Sequence, residues 1–471
     1  MNDMIQHLWS RFLHVADAIF DTLEQGTSFE SFQHKLKEEL DALGNEAIRL
    51  VIEQADKRLR DNRSERRGWV IAQRDNKKTL LTQFGSVSYR RTNFKHKALR
   101  SHRHLVDDQI GVRPHQKVDG SLQAELVERA VSHSYRVSGR WSENASWHVS
   151  GQTVMNAIRE MDTSAAATQD LGSDKRTVRY IFIQADEDHV PNQDTGGRWE
   201  PRLITVHEGV RQRGKRRQLV QAKHFGGLYL RATKQLWEEV WQYLDATYDL
   251  AQVSKIIISG DGASWIRQGC EVIPGAVFAL DRYHALQAVT RVAGNNMALR
   301  ARMWDALTRT DRAMLQETIS EARQMAATES KLRTIDNCER YFRRQWDGIV
   351  AWRTYDGIWP GCSAEGHISH IYAKRLSSRP LAWRRTGVDQ MSRLRVMAAN
   401  GQHIRSTYLK QNVRRAAPIQ VATNWIKESR QALKNSKRLH TMVEMGLPSL
   451  MKGRRTQLTR ALRAVVGSTS F

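Results

Sequence analysis

Cysteine is scarce in this chain. Its 471 residues hold three, Cys270, Cys338 and Cys362, far apart and with no CxxC pair among them. That spacing excludes a zinc finger and a disulfide framework, and a reducing cytoplasm is the expected setting. Long apolar runs are missing too. None approaches the ~20 residues that cross a bilayer, so no membrane partner is expected. The opening stretch MNDMIQHLWSRFLHVADAIF carries Asp3 and Asp17 and lacks the layout of a signal peptide. Internal repeats and low-complexity segments are absent as well.

Acids are the other shortage. Fifty Asp and Glu face 74 Lys and Arg, a net charge of +24. Such an excess points to a polyanion partner, above all nucleic acid; the bland reading is a merely basic protein. Half of the excess sits in residues 401–471, which hold 14 Lys and Arg against 2 Asp and Glu. The length suits two to four domains.

The pattern of residues divides the chain. Residues 1–66 are helical in spacing, with Leu8, Phe12, Ala16 and Ile19 on one stripe and Leu40, Leu43, Ala47 and Leu50 on another. Residues 67–120 alternate from Trp69, with turns expected near RDNKK and at Gly85, giving a β-hairpin or meander. Residues 121–161 read as three short helices. In the last, Ser150 is the expected N-cap, Val154, Ile158 and Met161 share a face, and Gln152, Thr153, Asn156 and Arg159 point outward. This is the outline of a helix-turn-helix or of an ordinary helical hairpin. A small, polar linker follows over 162–176. Residues 177–284 then run β-β-β-α-β-α-β, with YIFIQADEDHV, PRLITVHEGV and GGLYLRAT as the first three strands and a basic loop, VRQRGKRRQL, between the second and third. Helices return over 285–360, and CSAEGHISHIYAKRL reads as a helix to about Leu376. The expected class is α/β, a mixed sheet whose central strand ends in Asp186.

Three carboxylates stand where strands or helices open: Asp186 after YIFIQA, Asp261 after IIISG, and Glu365 in CSAEGHISH, at spacings of 75 and 104 residues. Each alone is a turn former or helix cap. Together, at adjacent strand ends and a helix start, they suit a pair of Mg²⁺ ions, which take oxygen ligands and keep positions for water and phosphate. Two such ions activate the attacking oxygen and stabilise the leaving one at phosphorus. Asp188 competes with Asp186, since both fall on one face of a strand. Asp281 and His284 in LDRYH are supporting candidates; His284 is either a satisfied structural histidine or a group that orients phosphate. His367 and His370 beside Glu365 leave zinc as a lesser alternative. Gly260 and Gly262, lacking Cβ atoms, are expected to admit metal and phosphate close to the backbone.

The segments YIFIQADEDHV, IIISGDGASWI, FALDRYHALQAV and EGHISHIYAKRLSSRPLAW resemble the signature segments of the ISLre-two family of bacterial insertion-sequence transposases, relatives of the Mutator-like DDE transposases. RRGWVIAQRDNKKTLLTQFGSVSYRR and the SHSYRVSG…HVSGQTVMNAI stretch resemble them too, so the likeness runs from about Trp69 to Arg395. The resemblance implies an RNase H-like mixed-sheet catalytic domain, 177–284 and 361–400, interrupted by an all-helical insertion, 285–360. Around it stand a helical and β N-terminal region and a basic helical C-terminal region, 401–471. It implies a DDE triad of Asp186, Asp261 and Glu365 that cuts and joins DNA with two Mg²⁺ ions, for which Mn²⁺ substitutes. Asp281 and His284 fill the Cys-or-Asp, two residues, His motif.

For DNA contact, Arg375, Arg379 and Arg384 follow Glu365 and carry the fork that matches phosphate oxygens. In the tail Lys427, Arg430, Lys434, Lys437 and Arg438 share a helical spacing, and Arg454, Arg455, Arg460 and Arg463 come later. The 14 tryptophans are mostly core residues, with one in the insertion or in RPLAW left to stack on an unpaired base. The expected protein is a transposase acting as a homo-oligomer on DNA, in the cytoplasm at the nucleoid. Its rivals are a nuclease that hydrolyses without joining and a non-catalytic DNA-binding protein, a repressor or retired transposase.

Overall fold

The helical stripes of the first sixty residues form α1 (Asn2–Glu24) and α2 (Phe29–Asp61). Ser28 opens α2 by accepting the Ser31 N–H at 3.2 Å, which satisfies one of the donors a helix start leaves unpaired. The computed structural model describes residues 2–140, 148–163, 175–214, 216–378, 381–413 and 419–427. It is a mixed α/β protein, and its residues gather into two units. One draws on Met1–Leu126, Gly139–Ser150 and Arg405–Phe471; the other on Val127–Ser138 and Gly151–Ile404.

In the first unit, β1 (Trp69–Thr82) and β2 (Gly85–His96) pair antiparallel, and β3 (His102–Arg103) adds a short edge. The turn is at Gly85, as alternation predicts. The turn expected at RDNKK is not there: β1 runs through it as a bulged strand. Its register slips between Ile71 and Gln73 and again between Gln73 and Asn76, with Asp75 at φ +58°. A bulge absorbs extra residues without ending the strand, so turn-forming residues mislead there. Ile52, Ala55 and Leu59 of α2 pack on Leu80, Val87, Tyr89 and Phe94 of the hairpin. Buried Asp56 accepts the Thr92 N–H and hydroxyl at 2.8 and 2.7 Å, locking helix to sheet. The short α3 (Leu105–Gln109) supplies Asp107, which accepts the Tyr89 hydroxyl and pairs with Arg91. α4 (Gly120–Ala130) crosses from one unit to the other.

The second unit contains α5 (Tyr135–Gly139) and α6 (Gly151–Glu160). Val154, Ile158 and Met161 are buried as predicted, and Gln152, Asn156 and Arg159 are exposed. Residues 164–174 of the expected linker over 162–176 and most of GRWSENASWH lie outside the described residues. The sheet follows: β4 (Tyr180–Glu187), a small ribbon of β5 (Val190–Pro191) and β6 (Arg198–Trp199), β7 (Arg202–His207), β8 (Gly209–Arg213), β9 (Arg216–Val220) and β10 (Lys223–Gly227). After α7 (Thr233–Thr247) come β11 (Lys255–Gly260), α8 (Ser264–Val272) and β12 (Ala276–Leu280).

Five strands stand in the order β10-β7-β4-β11-β12. β4, β11 and β12 are mutually parallel, and β7 runs against both β4 and β10. β4 is therefore central, as expected. Two details differ. The third strand is KHFGG, not GGLYLRAT, because its pairing runs from Lys223↔Val206 to Gly227↔Arg202. The basic loop is a β-hairpin, β8–β9, paired from Gly209↔Val220 to Arg213↔Arg216. Arginines alternating with other polar residues carry no hydrophobic signal, so the pattern read as a loop.

The helical block after β12 comprises α9 (Arg282–Ala293), α10 (Met297–Thr308), α11 (Arg312–Gln324), α12 (Glu329–Arg344) and α13 (Trp346–Thr354). Tryptophans tie it to the sheet. Trp352 Nε1 donates to the Leu280 carbonyl at 2.7 Å, and Trp359 Nε1, just beyond, donates to Ser259 Oγ at 2.9 Å. The chain then returns through α14 (Ala364–His367), a π-helical turn over Ile368–Ala373, and α15 (Lys374–Leu376), followed by α16 (Arg385–Ala399) and α17 (Ile404–Val413).

Candidate metal centre

Period two decides what β4 presents. Phe182, Gln184 and Asp186 point to one face, and Ile183, Ala185 and Glu187 to the other. Glu187 accordingly leaves the site and accepts the indole N–H of Trp265 on α8. Asp188 lies past the strand end, where the Ser377 hydroxyl lies 2.8 and 2.9 Å from its two carboxylate oxygens. Asp186 uses Oδ1 to accept the Glu187 N–H at 2.9 Å, and its Oδ2 is buried with no hydrogen-bond partner among the described residues.

Parallel pairing brings the ends of β4, β11 and β12 to one edge of the sheet, so Asp186, Asp261 and Asp281 all arrive there. Asp281 caps α9, accepting the Tyr283 N–H at 3.0 Å. One turn on, His284 returns to the same edge, with Nε2 3.8 Å from Asp281 Oδ2. Glu365 comes from α14. One ligand atom each from Asp186, His284 and Glu365 lies within 4.8 Å of the others. Opposite ligands of an ion with ~2.1 Å bonds stand ~4.2 Å apart, so a small contraction would close this set around one ion. His284 Nε2, like Asp186 Oδ2, is buried without a hydrogen-bond partner among the described residues, which favours a ligand role over a satisfied structural histidine. Two orphaned buried ligand atoms facing an exposed carboxylate fit a divalent cation.

Asp261 borders this group rather than joining its three closest atoms. Its Oδ1 accepts the Ala263 N–H at 2.8 Å, and its carbonyl accepts the Tyr341 hydroxyl at 2.9 Å. Burial, reinforced by the charges of Asp261, Glu187 and Glu365, pushes the Asp186 carboxyl up to about 8. Burial raises Asp281 too, with Asp261 and Glu365 adding to it. Like charges crowded in a dry place favour the neutral form until a cation compensates them. Cys362 lies among the same groups. Burial first, then Asp281, Asp186 and Asp261, push its thiol up.

The glycines around Asp261 have other reasons than access for metal. A Cβ at Gly260 would lie 2.7 Å from the Ala185 carbonyl of β4 and from Ile266. Gly262 has φ +89°, and a Cβ there would strike the Gln345 side chain, whose amide donates to the Gly262 carbonyl at 2.9 Å. Close strand packing and a tight turn demand them.

Several residues that hold the site are not legible as site residues. Gln184, two before Asp186, accepts the Ser363 N–H and hydroxyl at 3.1 and 2.9 Å, fixing the approach to Glu365. A lone polar residue alternating with an acid in an apolar strand was the available signal. Gln345 and Tyr341 brace the Asp261 turn from the helical block.

Other candidates separate. His367 packs against His224 with ring centroids 5.7 Å apart, and its Nε2 lies 3.2 Å from Ser363 Oγ. Neither it nor His370 joins the ligand group found among the described residues. Arg375 is corrected: it is buried, its guanidinium lies over Tyr135 and Trp383, and Nε donates to the Ala130 carbonyl at 3.0 Å. It holds α5 to the chain after Glu365 and presents no charge to DNA. Trp383 of RPLAW is buried in the same stack and offers no face to a base. Arg384 is exposed, 3.7 Å from Asp194. Thr153 is half-buried on α6 beside the exposed Gln152, which donates to Asn156 Oδ1 at 2.9 Å. Arg379, Arg454 and Arg455 lie outside the described residues, as does the expected tail helix beyond Lys427. No described helix is long and apolar enough to cross a membrane.

A family described as "Uncharacterised protein family (UPF0236)" matches residues 22–412. A UPF0236 protein of Caldanaerobacter subterraneus subsp. tengcongensis is 33% identical over 450 residues, covering 94% of this chain and 93% of its own. Its name joins eleven serial labels. A second UPF0236 protein of that organism is 32% identical over 96% of both chains. A Streptococcus gallolyticus protein, named as a UPF0236 protein in the vanSb 3′ region, is 22% identical over 71% of this chain and 75% of its own.

Proposed function

We propose that this chain, which belongs to the UPF0236 family, is a DNA transposase similar to the ISLre-two type. In this reading it binds the ends of a mobile element, cuts a phosphodiester there, and joins the freed 3′-hydroxyl to target DNA. The observation that carries the reading is the convergence of Asp186, His284 and Glu365, with Asp261 and Asp281 beside them, at one edge of a mixed sheet. A purely structural cluster does not require two buried ligand atoms without hydrogen-bond partners among the described residues. An RNase H-like identity for the sheet is supported by its central first strand bearing Asp186 and by the helical block between β12 and α14, both of which the resemblance implies.

Asp186, His284 and Glu365 are the residues that would hold a divalent cation, with Asp261 placed to share a second. Such ions would polarise the phosphodiester and favour ionisation of the attacking hydroxyl. Oxygen donors suit Mg²⁺ or Mn²⁺, while an imidazole among them shifts preference toward softer ions. Comparing Mg²⁺, Mn²⁺ and Zn²⁺ therefore belongs to the test. The chain's net charge of +24 supplies cations for DNA phosphates. Water opens the bond at phosphorus and the 3′-oxygen departs as a hydroxyl; that hydroxyl then attacks target phosphorus and displaces its 3′-oxygen. A homo-oligomer on DNA would hold two ends together, and the nucleoid would be its place in the cell. The eleven labels in the relative's name are compatible with a protein carried in many copies by a mobile element.

The test incubates full-length protein with element-end DNA, a target plasmid and each cation. Asp261→Asn and Asp186→Asn are expected to reduce cleavage and joining at least a hundredfold while end binding persists. Normal cutting by both variants sinks the reading. Cut but never joined products identify a nuclease, and binding without cation-dependent cutting identifies a repressor.

A further inference from the structure

Along the sheet edge from the acids, past the end of β10, lies a cleft of about 570 Å³. Leu228, Tyr229 and Leu230 form its apolar side, and Arg231, Arg385 and Arg393 its basic side. Register ties it to the metal centre. Gly227 pairs with Arg202, which pairs on its other side with Glu187, the neighbour of Asp186. Two strand spacings separate Gly227 from Glu187, about 10 Å. Because β10 runs parallel to β4, the cleft opens at the edge where the acids stand.

Its floor is held rigidly. Arg202 donates to the Tyr229 carbonyl at 2.8 Å and also to Thr233 Oγ1. The Tyr229 hydroxyl donates to Glu239 at 2.9 Å, and Asp389 accepts the Leu228 N–H at 2.9 Å and Arg393 Nε at 3.0 Å. The Arg393 guanidinium carbon lies over the Tyr229 ring, 4.9 Å from its centroid. Asp389 and Glu239, the acids beside it, are thus engaged. Arg231 and Arg385 are exposed, and their side chains have no partner among the described residues. Two exposed guanidinium forks beside an apolar lining that includes the Arg393–Tyr229 contact form an amphipathic receptor. Phosphate oxygens suit the forks, and the flat face of a base suits the floor. The volume accepts a single nucleotide.

We propose that this cleft seats an unpaired nucleotide of the DNA strand, at the same sheet edge as the bond being cut. The proposal rests on the reading of the acid edge as a DNA-cutting centre. It adds that the strand must be open beside that centre.

Binding of full-length protein to two DNAs, in chelator, tests it. One is a blunt duplex and the other the same duplex with a short unpaired 3′ tail. The tailed DNA is expected to bind more tightly, and R231A/R385A to lose about tenfold of that preference. Leu230→Glu, which sets an acid at the rim, is expected to do the same without removing an arginine. An unchanged ratio of tailed to blunt affinity in both variants overturns the proposal. So does tight binding of free deoxyadenosine monophosphate that the tail fails to displace, which assigns the cleft to a free nucleotide. Because chelator excludes cleavage, tail preference that depends on the arginines stands even if metal-dependent cutting is never found. Cutting with no such preference retires the cleft alone.

Discussion

Three acids in ADEDHV face three ways, and the reason is the pleat together with where the strand stops. Glu187 turns to α8 and Trp265, Asp188 is held past the strand end by Ser377, and Asp186 alone keeps a buried oxygen for the site. Two substitutions separate the roles. Asp186→Asn removes a carboxyl whose ionisation burial and the neighbouring acids oppose. It is expected to weaken cation binding by calorimetry and to raise the melting temperature in chelator, by about 2–4 °C per kcal/mol relieved. Asp188→Ala removes an acceptor from Ser377. It is expected to lower stability by about 1–2 kcal/mol while cation affinity stays near normal. The reverse pattern would make Asp188 the ligand.

Elements carry the next level. The helix bearing Glu365 has a π-helical turn over Ile368–Ala373, an arrangement that adds a residue to the turn and is frequent at functional sites. Tyr372 within it donates to the Arg202 carbonyl at 3.0 Å and Ile368 and Ile371 are buried, so the wider turn is packed against β7. The β8–β9 hairpin is a different device. Arg211, Arg213 and Arg217 are exposed on a two-stranded ribbon, and Arg217 is tied by one nitrogen to the Pro360 carbonyl at 2.9 Å, five residues before Glu365. Replacing the three by Ala is expected to flatten the dependence of log affinity on log salt by about 2–3, since each phosphate contact contributes ~0.9. A slope equal to the parent's would mean the ribbon does not touch the backbone.

For the molecule as a whole, pH should matter on the acid side. His207 and His224 are buried in the sheet, and burial pushes both imidazoles down to about 4 from 6.5. The unfolded chain then binds more protons than the folded one between those values. Stability from these groups is present above pH 6.5 and is lost as pH falls toward 4, by up to about 3 kcal/mol for each. Other charges facing them, Lys223 and His367, push in the same direction. Denaturant unfolding from pH 7 to pH 4 checks this, and His224→Asn is expected to flatten the slope. An equally steep loss in the variant would place the acid sensitivity elsewhere.

Local pattern was enough for much of this protein. Alternation and helical spacing identified the paired helices at the start, the hairpin turn at Gly85, β4, β11 and β12, and the helical block after them, because each depends on neighbours within a few residues. The acids at strand ends were visible for the same reason. Tertiary structure decided the rest. Only the parallel pairing of β4 with β11 and β12 sets Asp186, Asp261 and Asp281 on one edge. Only the return of the chain through Trp359 and Ser363 brings Glu365 to His284. Arg375 shows the limit most clearly. Its charge and position promised a phosphate contact, yet the aromatic pair that buries it comes from Tyr135 and Trp383, hundreds of residues and a few residues away. Burial depends on which distant segments meet, and that is set by the energy of the packed whole, not by any stretch read alone.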